Sequence, residues 1–263
     1  RRFPGPHDYH MNRLSIRNSR GIIVHNAYMR DVVARIARAE RNDTPVRMVR
    51  HHALRPDAWI SPADARAARV KLGIEPDRFV VSSIGFMSQA KRIRVALRAF
   101  AQLVREFPDA LYVLVGEAPP ALEADIGALG LSDRVRTVGY VDMESFYHYI
   151  AASDFCVNLR HPSAGETSGS LLRIMSMGKA VAVSDYAQFA EFPDDCCVKI
   201  NVGDGEEGML FEQMCRMAHE PSARAAYGEA AREYIQRHHS PDRSARGYYE
   251  ALKEIAGEDR GLS

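Results

Sequence analysis

The 263-residue sequence is short of several things that would each have pointed to a function. Its apolar runs, such as Ile22-Ile23-Val24 and the stretch from Ala110 to Val115, stop well before the ~20 residues that cross a bilayer, so no transmembrane helix is expected. Cysteine is sparse. Cys156, Cys196, Cys197 and Cys215 form neither a CxxC zinc pattern nor a disulfide framework at this length, which speaks for a reducing, cytoplasmic compartment. Cys156, inside an apolar strand-like run, reads as a buried thiol. Neither sign of charge is in excess: 35 basic and 34 acidic side chains leave a net charge of +1, which argues against a strongly basic nucleic-acid binder or a polybasic membrane tail. Lysine is scarce. There are five (Lys71, Lys91, Lys179, Lys199, Lys253), and the other 30 basic residues are arginine. The chain opens on Arg1-Arg2-Phe3-Pro4 with no signal-peptide pattern, and the expectation is that further residues precede it. With 46% hydrophobic and 26% charged residues, it is composed like an ordinary globular protein of one or two domains.

What is there is alternation. GIIVHN (21–26) reads as a strand, AYMRDVVARIARA (27–39) as a helix and PVRMVRHH (45–52) as a strand. A connection follows into a helix ending at Gly73, with Ser61 as its cap and Pro62 in its first turn. Strands are then expected at 78–86, 110–117, 135–140, 154–160, 180–185 and 196–202, separated by helices at 91–107, 121–130, 143–153 and 169–179. The remainder, 207–219, 223–238 and 242–257, is helical. The segment 78–202 therefore predicts a doubly wound parallel sheet of about six strands, a Rossmann-like α/β domain. Residues 1–52 look like the end of another α/β unit.

In such sheets ligands lie at the carboxyl ends of strands, and three loops there are chemically unusual. In IGFMSQAK (84–91), Gly85 permits close backbone approach and Lys91 could meet a phosphate; a plain turn with a solvent-facing lysine is the alternative. In LRHPSAGETSGSLLRIMSMGK (159–179), the start of the helix near Gly169 offers free amides to an anion, with Ser168 or Thr167 as cap. Glu166 makes a poor phosphate ligand but a good acceptor for vicinal sugar hydroxyls, unless it only favours the helix dipole. In VSDYAQFAEF (183–192), Asp185 and Glu191 flank a turn and could be simply solvated.

Together these stretches resemble the donor-binding half of a retaining glycosyltransferase of family 4, the group 1 glycosyltransferases of GT-B fold. The resemblance rests on the order and spacing of IGFMSQAK (84–91), LYVLVGE (111–117), VRTVGYV (135–141), GETSGSLLRIMSMGK (165–179) and VAVSDYAQFAE (181–191), and runs from about Arg55 to Ile255. It implies two opposed Rossmann-like domains closing on a nucleotide-diphosphate sugar, with no metal and no separate cofactor. Under it, Lys91 contacts the donor diphosphate and Glu166 the transferred sugar, the two catalytic assignments. The amides of Gly169, Ser170 and Leu171 receive the phosphates, Gly85, Thr167 and Ser168 shape the donor site, and Glu191 fills the last acidic position of the pattern. The implied division is 1–52 as the end of an acceptor-side domain, 53–240 as the donor-binding domain and 241–263 as a helix crossing back to the first. Its aromatic pair, Tyr248 and Tyr249, is expected to pack rather than stack on a ligand.

Two positions depart from the family pattern. The arginine usual after the strand glycine is Phe86, and the second glutamate, eight residues after the first, is replaced by Arg173 or Ile174 depending on the register. Arg160 and Arg173 bracket the loop and are expected to supply the missing positive charge. The pairs His51-His52 and His238-His239 lack a third ligand at metal spacing and read as solvated; His7 and His10 cannot be aligned to the family's acceptor-side histidine. The expected function is therefore transfer of a sugar from a nucleotide-diphosphate sugar to an acceptor (glycan, lipid or small molecule), with peripheral contact to the inner membrane face through the preceding domain. A non-catalytic nucleotide-sugar-binding module and a GT-B epimerase are the alternatives. The chain holds about one and a quarter domains on ordinary domain sizes, so by itself it should bind a donor better than it transfers one.

Overall fold

The computed structural model describes residues 10–53 and 62–257, with side chains described from 13 and from 64 in the two segments. The Ser61 cap and His7 lie outside the described residues, as does the side chain of His10. The first segment carries helix α1 (His10–Asn18), strand β1 (Ile22–Val24), helix α2 (Ala27–Ala39) and strand β2 (Val46–Met48), with β1 and β2 paired in parallel. Alanine, valine and isoleucine at three- and four-residue spacing give α2 one apolar face, and Val33 and Ala37 bury it against Ile16 of α1 and Val24 of β1.

Beyond α3 (Pro62–Lys71) the chain builds the larger sheet: β3 (Val80–Ile84), α4 (Ile93–Glu106), β4 (Leu111–Val115), α5 (Ala121–Ala128), β5 (Val135–Gly139), α6 (Met143–Ala152), β6 (Phe155–Asn158), α7 (Gly169–Ser176), β7 (Ala180–Ser184) and β8 (Val198–Ile200). Helices α8 (Glu206–His219), α9 (Pro221–His238) and α10 (Pro241–Ala256) follow. The six strands are all parallel, in the order β5-β4-β3-β6-β7-β8. This is the doubly wound, Rossmann-like arrangement expected from the sequence, and its strand order reverses between β3 and β6. Because both faces are covered, the central strands are buried throughout and mostly apolar, and VVSSI of β3 is wholly buried. Its two serines find internal partners: Ser83 Oγ donates to the Val157 carbonyl (3.0 Å), and Ser153 Oγ donates to Ser82 Oγ (2.7 Å).

The faces form two cores. Helices α4, α5 and α8 bury Leu97, Phe100, Leu103, Leu122 and Met214 against one, and α6, α7 and α9 bury Ile150, Leu172, Met175 and Ile235 against the other. Gly228 lets α9 approach the turn after α7, where a Cβ would overlap the Gly178 carbonyl oxygen. Gly228→Ala should lower stability by about 1–3 kcal/mol, since backbone atoms cannot step aside, and a denaturant midpoint will read it. Two short 3-10 turns, Gln89–Lys91 and Ala187–Glu191, replace what the sequence reads as the first residues of a helix and a plain turn. Helix α10 lies back along the first segment: Ser244 Oγ donates to the Arg50 carbonyl (2.6 Å), Glu254 pairs with Arg47, and Ile255 sits where a Cβ on Gly21 would go. Tyr249 does not pack as expected; it is 60% exposed, with Lys253 Nζ 5.6 Å from its ring centre.

Candidate functional site

At the point where the strand order reverses, the end of β3 and the loop after β6 enclose a cleft of about 380 Å³. Ten of the twelve residues expected at the donor site line it: Gly85, Phe86, Lys91, Arg160, Glu166, Thr167, Ser168, Gly169, Ser170 and Arg173. Ser88, Met143 and Phe146 complete the lining.

The 3-10 turn folds the chain back so that Lys91, seven residues beyond Ile84, returns to it. Its Nζ donates to the Ile84 carbonyl (2.6 Å) and lies 2.8 Å from where a Cβ on Gly85 would be. The side chain is 5% exposed, so the solvent-facing alternative does not hold. Burial, helped by the nearby Arg160 guanidinium, pulls its pKa down to about 7. Gly85 is needed for this approach: its φ is +104°, and any side chain there would collide with the amine.

Across the cleft, Ser168 caps α7, its Oγ accepting from the Leu171 amide (3.3 Å). Leu171 is therefore corrected: its amide is already used and its side chain is buried in the core, leaving Gly169 and Ser170 as the helix-start residues in the cleft. Glu166 is held at one oxygen by the Ala164 amide (3.0 Å) and the Ser163 hydroxyl (3.3 Å), while the other lies 3.5 Å from Arg160 Nη1. The carboxylate stays 44% exposed. Gln188 steadies the loop from behind, its Nε2 donating to the Glu166 carbonyl (2.7 Å). Three buried donor atoms around the cleft, Asn158 Nδ2, Arg160 Nε and Arg173 Nε, have no hydrogen-bond partner. Buried donors ordinarily find an acceptor, so these three nitrogens are unsatisfied polar groups beside the cleft.

Glu191 is elsewhere. Its two oxygens accept from the amides of Ala27 (3.0 Å) and Tyr28 (2.6 Å), at the start of α2, where a carboxylate complements the helix dipole. It joins the first segment to the sheet domain and does not line the cleft; Asn26 works beside it, donating to the Gly165 carbonyl (2.8 Å) while capping α2 at Met29 (2.8 Å). The solvated reading of Glu191 fails for the same reason. His239 is likewise not solvated: its Nδ1 lies 2.7 Å from the His51 carbonyl, and burial pushes its pKa down to about 4. Sequence reasoning passed over Asn158, Asn26 and Gln188; a polar residue closing an apolar strand was the available signal for the first. Cys156, as expected, is a fully buried thiol.

A larger groove of about 720 Å³ opens between α4 and α5. Its arginines Arg92, Arg94 and Arg98 are each matched by a carboxylate, Glu206, Asp125 and Glu207, which leaves it without the unpaired donors of the smaller cleft. Among the described residues, no group of three or more His, Cys, Asp or Glu side chains could hold a metal ion, and no helix is long and apolar enough to cross a membrane.

Known proteins share this architecture. Over 94% of the chain it superposes on 61% of sucrose-phosphate synthase from Thermosynechococcus elongatus, with a TM-score of 0.77 at 21% identity. Over 95% it superposes on 70% of Anabaena HepE in complex with UDP, with a TM-score of 0.81 at 19% identity. In sequence it is 28% identical over 176 residues to the alpha-D-kanosaminyltransferase of Streptomyces kanamyceticus, covering 64% of this chain and 45% of that protein. It is also 28% identical over 188 residues to D-inositol 3-phosphate glycosyltransferase 2 of Catenulispora acidiphila, covering 67% and 43%. The chain thus spans less than half the length of these two relatives. The signature of the glycosyl transferases group 1 matches residues 78–220, more than half of the chain and the whole of the six-stranded sheet, and the chain belongs to that family.

Proposed function

We propose that this chain is the donor-binding part of a glycosyltransferase that moves a sugar from a nucleotide-diphosphate sugar to an acceptor, with retained anomeric configuration and without a metal. The observation that carries the reading is the buried Lys91 amine at the end of β3, facing the start of α7 across a cleft whose other cations, Arg160 and Arg173, keep unpaired nitrogens. Three cations against one carboxylate suit a diphosphate, and the preset positive charge would stabilise the nucleotide as it leaves. Glu166, exposed and anchored at one oxygen, suits the hydroxyls of the transferred sugar. Substrate alignment and this electrostatic support supply the rate, with no covalent protein nucleophile. Phe86, 66% exposed on the rim, stands where a further cation would otherwise meet the phosphates, and Arg160 with Arg173 takes over that charge.

In the same reading, residues 1–52 are the end of the acceptor-side domain, 53–240 the donor domain and 241–263 the helix that ties the two. The protein is cytoplasmic, and its contact with a membrane is peripheral and made through that acceptor side. UDP is bound by the HepE structures of the same fold, and UDP-glucose by one of them, which makes a uridine donor the first to test.

A thermal-shift screen against UDP, GDP, ADP and dTDP and their glucose conjugates is the test. At least one donor should raise the melting temperature by several degrees at 1 mM, a stabilisation set by RT ln(1 + [L]/Kd). No shift with any of them would sink the reading. Tight binding without turnover in the complete enzyme would favour a binding module, and interconverted sugar epimers an isomerase.

A further inference from the structure

The residue that follows Lys91 is unusual. Arg92, which joins the 3-10 turn to α4, sits at φ +58° and ψ +28°, the left-handed region that side chains with a Cβ seldom enter. Nothing in its own backbone environment asks for arginine: glycine would adopt the same conformation without strain. The side chain supplies a reason. Its Nε lies 3.1 Å from one oxygen of Glu206, and its Nη2 donates to the same carboxylate.

Glu206 is the first residue of α8 and is 2% exposed, a carboxylate buried at a helix start with Arg92 as its charged partner. The next residue, Glu207, continues the grip along α4 through Arg98 Nε (2.6 Å) and Gln102 Nε2 (2.9 Å). From the opposite side the His161 amide donates to the Ala90 carbonyl (2.8 Å), tying the turn to the loop after β6. The two residues ahead of α4 therefore divide the work: Lys91 points back under the cleft, and Arg92 reaches outward to α8.

We propose that Glu206 and Arg92 are positioning residues for the donor site: their ion pair holds residue 92 in its left-handed conformation and thereby fixes the Lys91 amine at the end of β3. This rests on the donor-site reading for its effect on nucleotide binding, but not for its effect on Lys91 itself. Removing the charge of Glu206 releases the arginine, residue 92 relaxes toward the ordinary helical region, and the amine leaves the Ile84 carbonyl. Placing glycine at 92 removes the strain and with it the need for the pair.

Two readouts on Glu206→Gln, and on Arg92→Gly combined with Glu206→Gln, test this. The first needs no ligand: reductive methylation followed by mass spectrometry, which resolves each of the five lysines. Lys91 should be protected in the wild type, modified at least fivefold faster in Glu206→Gln, and protected again in the double variant. Lys179, held by the Ala151 and Ser153 carbonyls at the amino ends of β6 and β7, should not change in any of them and controls for general loosening. The second is calorimetry with the tightest binder among UDP, GDP, ADP and dTDP. Affinity should fall about tenfold in Glu206→Gln and return to within twofold of wild type in the double variant.

Equal Lys91 protection in wild type and Glu206→Gln overturns the proposal, as does a double variant no better than the single one. If protection follows the expected pattern while none of the four nucleotides binds the wild type, the positioning stands and the donor-site reading falls.

Discussion

In Lys91→Met the nucleoside diphosphate should bind at least tenfold more weakly, and donor turnover in the complete enzyme should fall by about 10²–10³-fold, the usual loss for one preset charge-stabilising donor. Methionine follows the lysine stem through the same buried path, so the loss is one of charge rather than of shape. Stability should not suffer with it. The variant leaves the Ile84 carbonyl without the amine, but it also removes an ammonium from a site that is 5% exposed, and the two effects oppose each other.

The pH dependence has a definite sign. Burial lowers the pKa of Lys91 from 10.5 to about 7 in the folded chain, so between those values the unfolded chain holds the proton and the folded chain does not. Stability relative to Lys91→Met should therefore rise with pH across that window. Ligand binding runs the other way. A diphosphate favours the ammonium and raises its pKa in the complex, so affinity is full below about pH 7 and declines above it. Calorimetry at pH 6.5 and 8.5 should show weaker binding at the higher pH in the wild type and no such change in Lys91→Met.

How Lys91 reaches its place explains how much of the protein could be read in advance. The periodicity of apolar residues marked every strand of the large sheet and the helices between them, because a strand buried on both faces is mostly apolar and a covering helix has to carry a stripe. Ala27–Ala39 falls where the pattern puts it, Gly169–Ser176 starts where expected but ends three residues before 179, and glycines mark the strand ends. The cleft was legible for the same reason, since a parallel sheet leaves its ligand loops at strand ends. What periodicity cannot show is a side chain's partner. Lys91 appears one residue inside a helix on spacing alone; its burial depends on a 3-10 turn and on a left-handed Arg92 whose carboxylate partner lies 114 residues away. Glu191 fits an acidic position in a pattern, yet its oxygens are claimed by the start of α2, 163 and 164 residues earlier in the chain. Leu171 was lost to a nearer competitor, the hydroxyl of Ser168 three residues before it.

Glu166→Gln should give the opposite dissociation from Lys91→Met: donor turnover reduced by about 10²-fold, with nucleoside diphosphate affinity unchanged or tighter. The carboxylate stands 3.5 Å from Arg160 Nη1, so in the absence of donor it offsets part of the positive charge that a diphosphate would use. Neutralising it leaves Arg160 free for the phosphates. The amide can still accept from Ala164 at the anchored oxygen, which keeps the loop in place. On the proposed reading, what is lost is a charged acceptor for two neighbouring hydroxyls of the sugar, an interaction stronger than its neutral counterpart and one that would matter most when the ring carries positive charge. Because that interaction is made to the sugar and not to the nucleotide, kcat and kcat/KM for the donor should fall together while the nucleotide Kd does not rise. Equal losses of nucleotide affinity and turnover in Glu166→Gln would assign the residue to the architecture of the loop, and unchanged turnover would remove it from the site altogether.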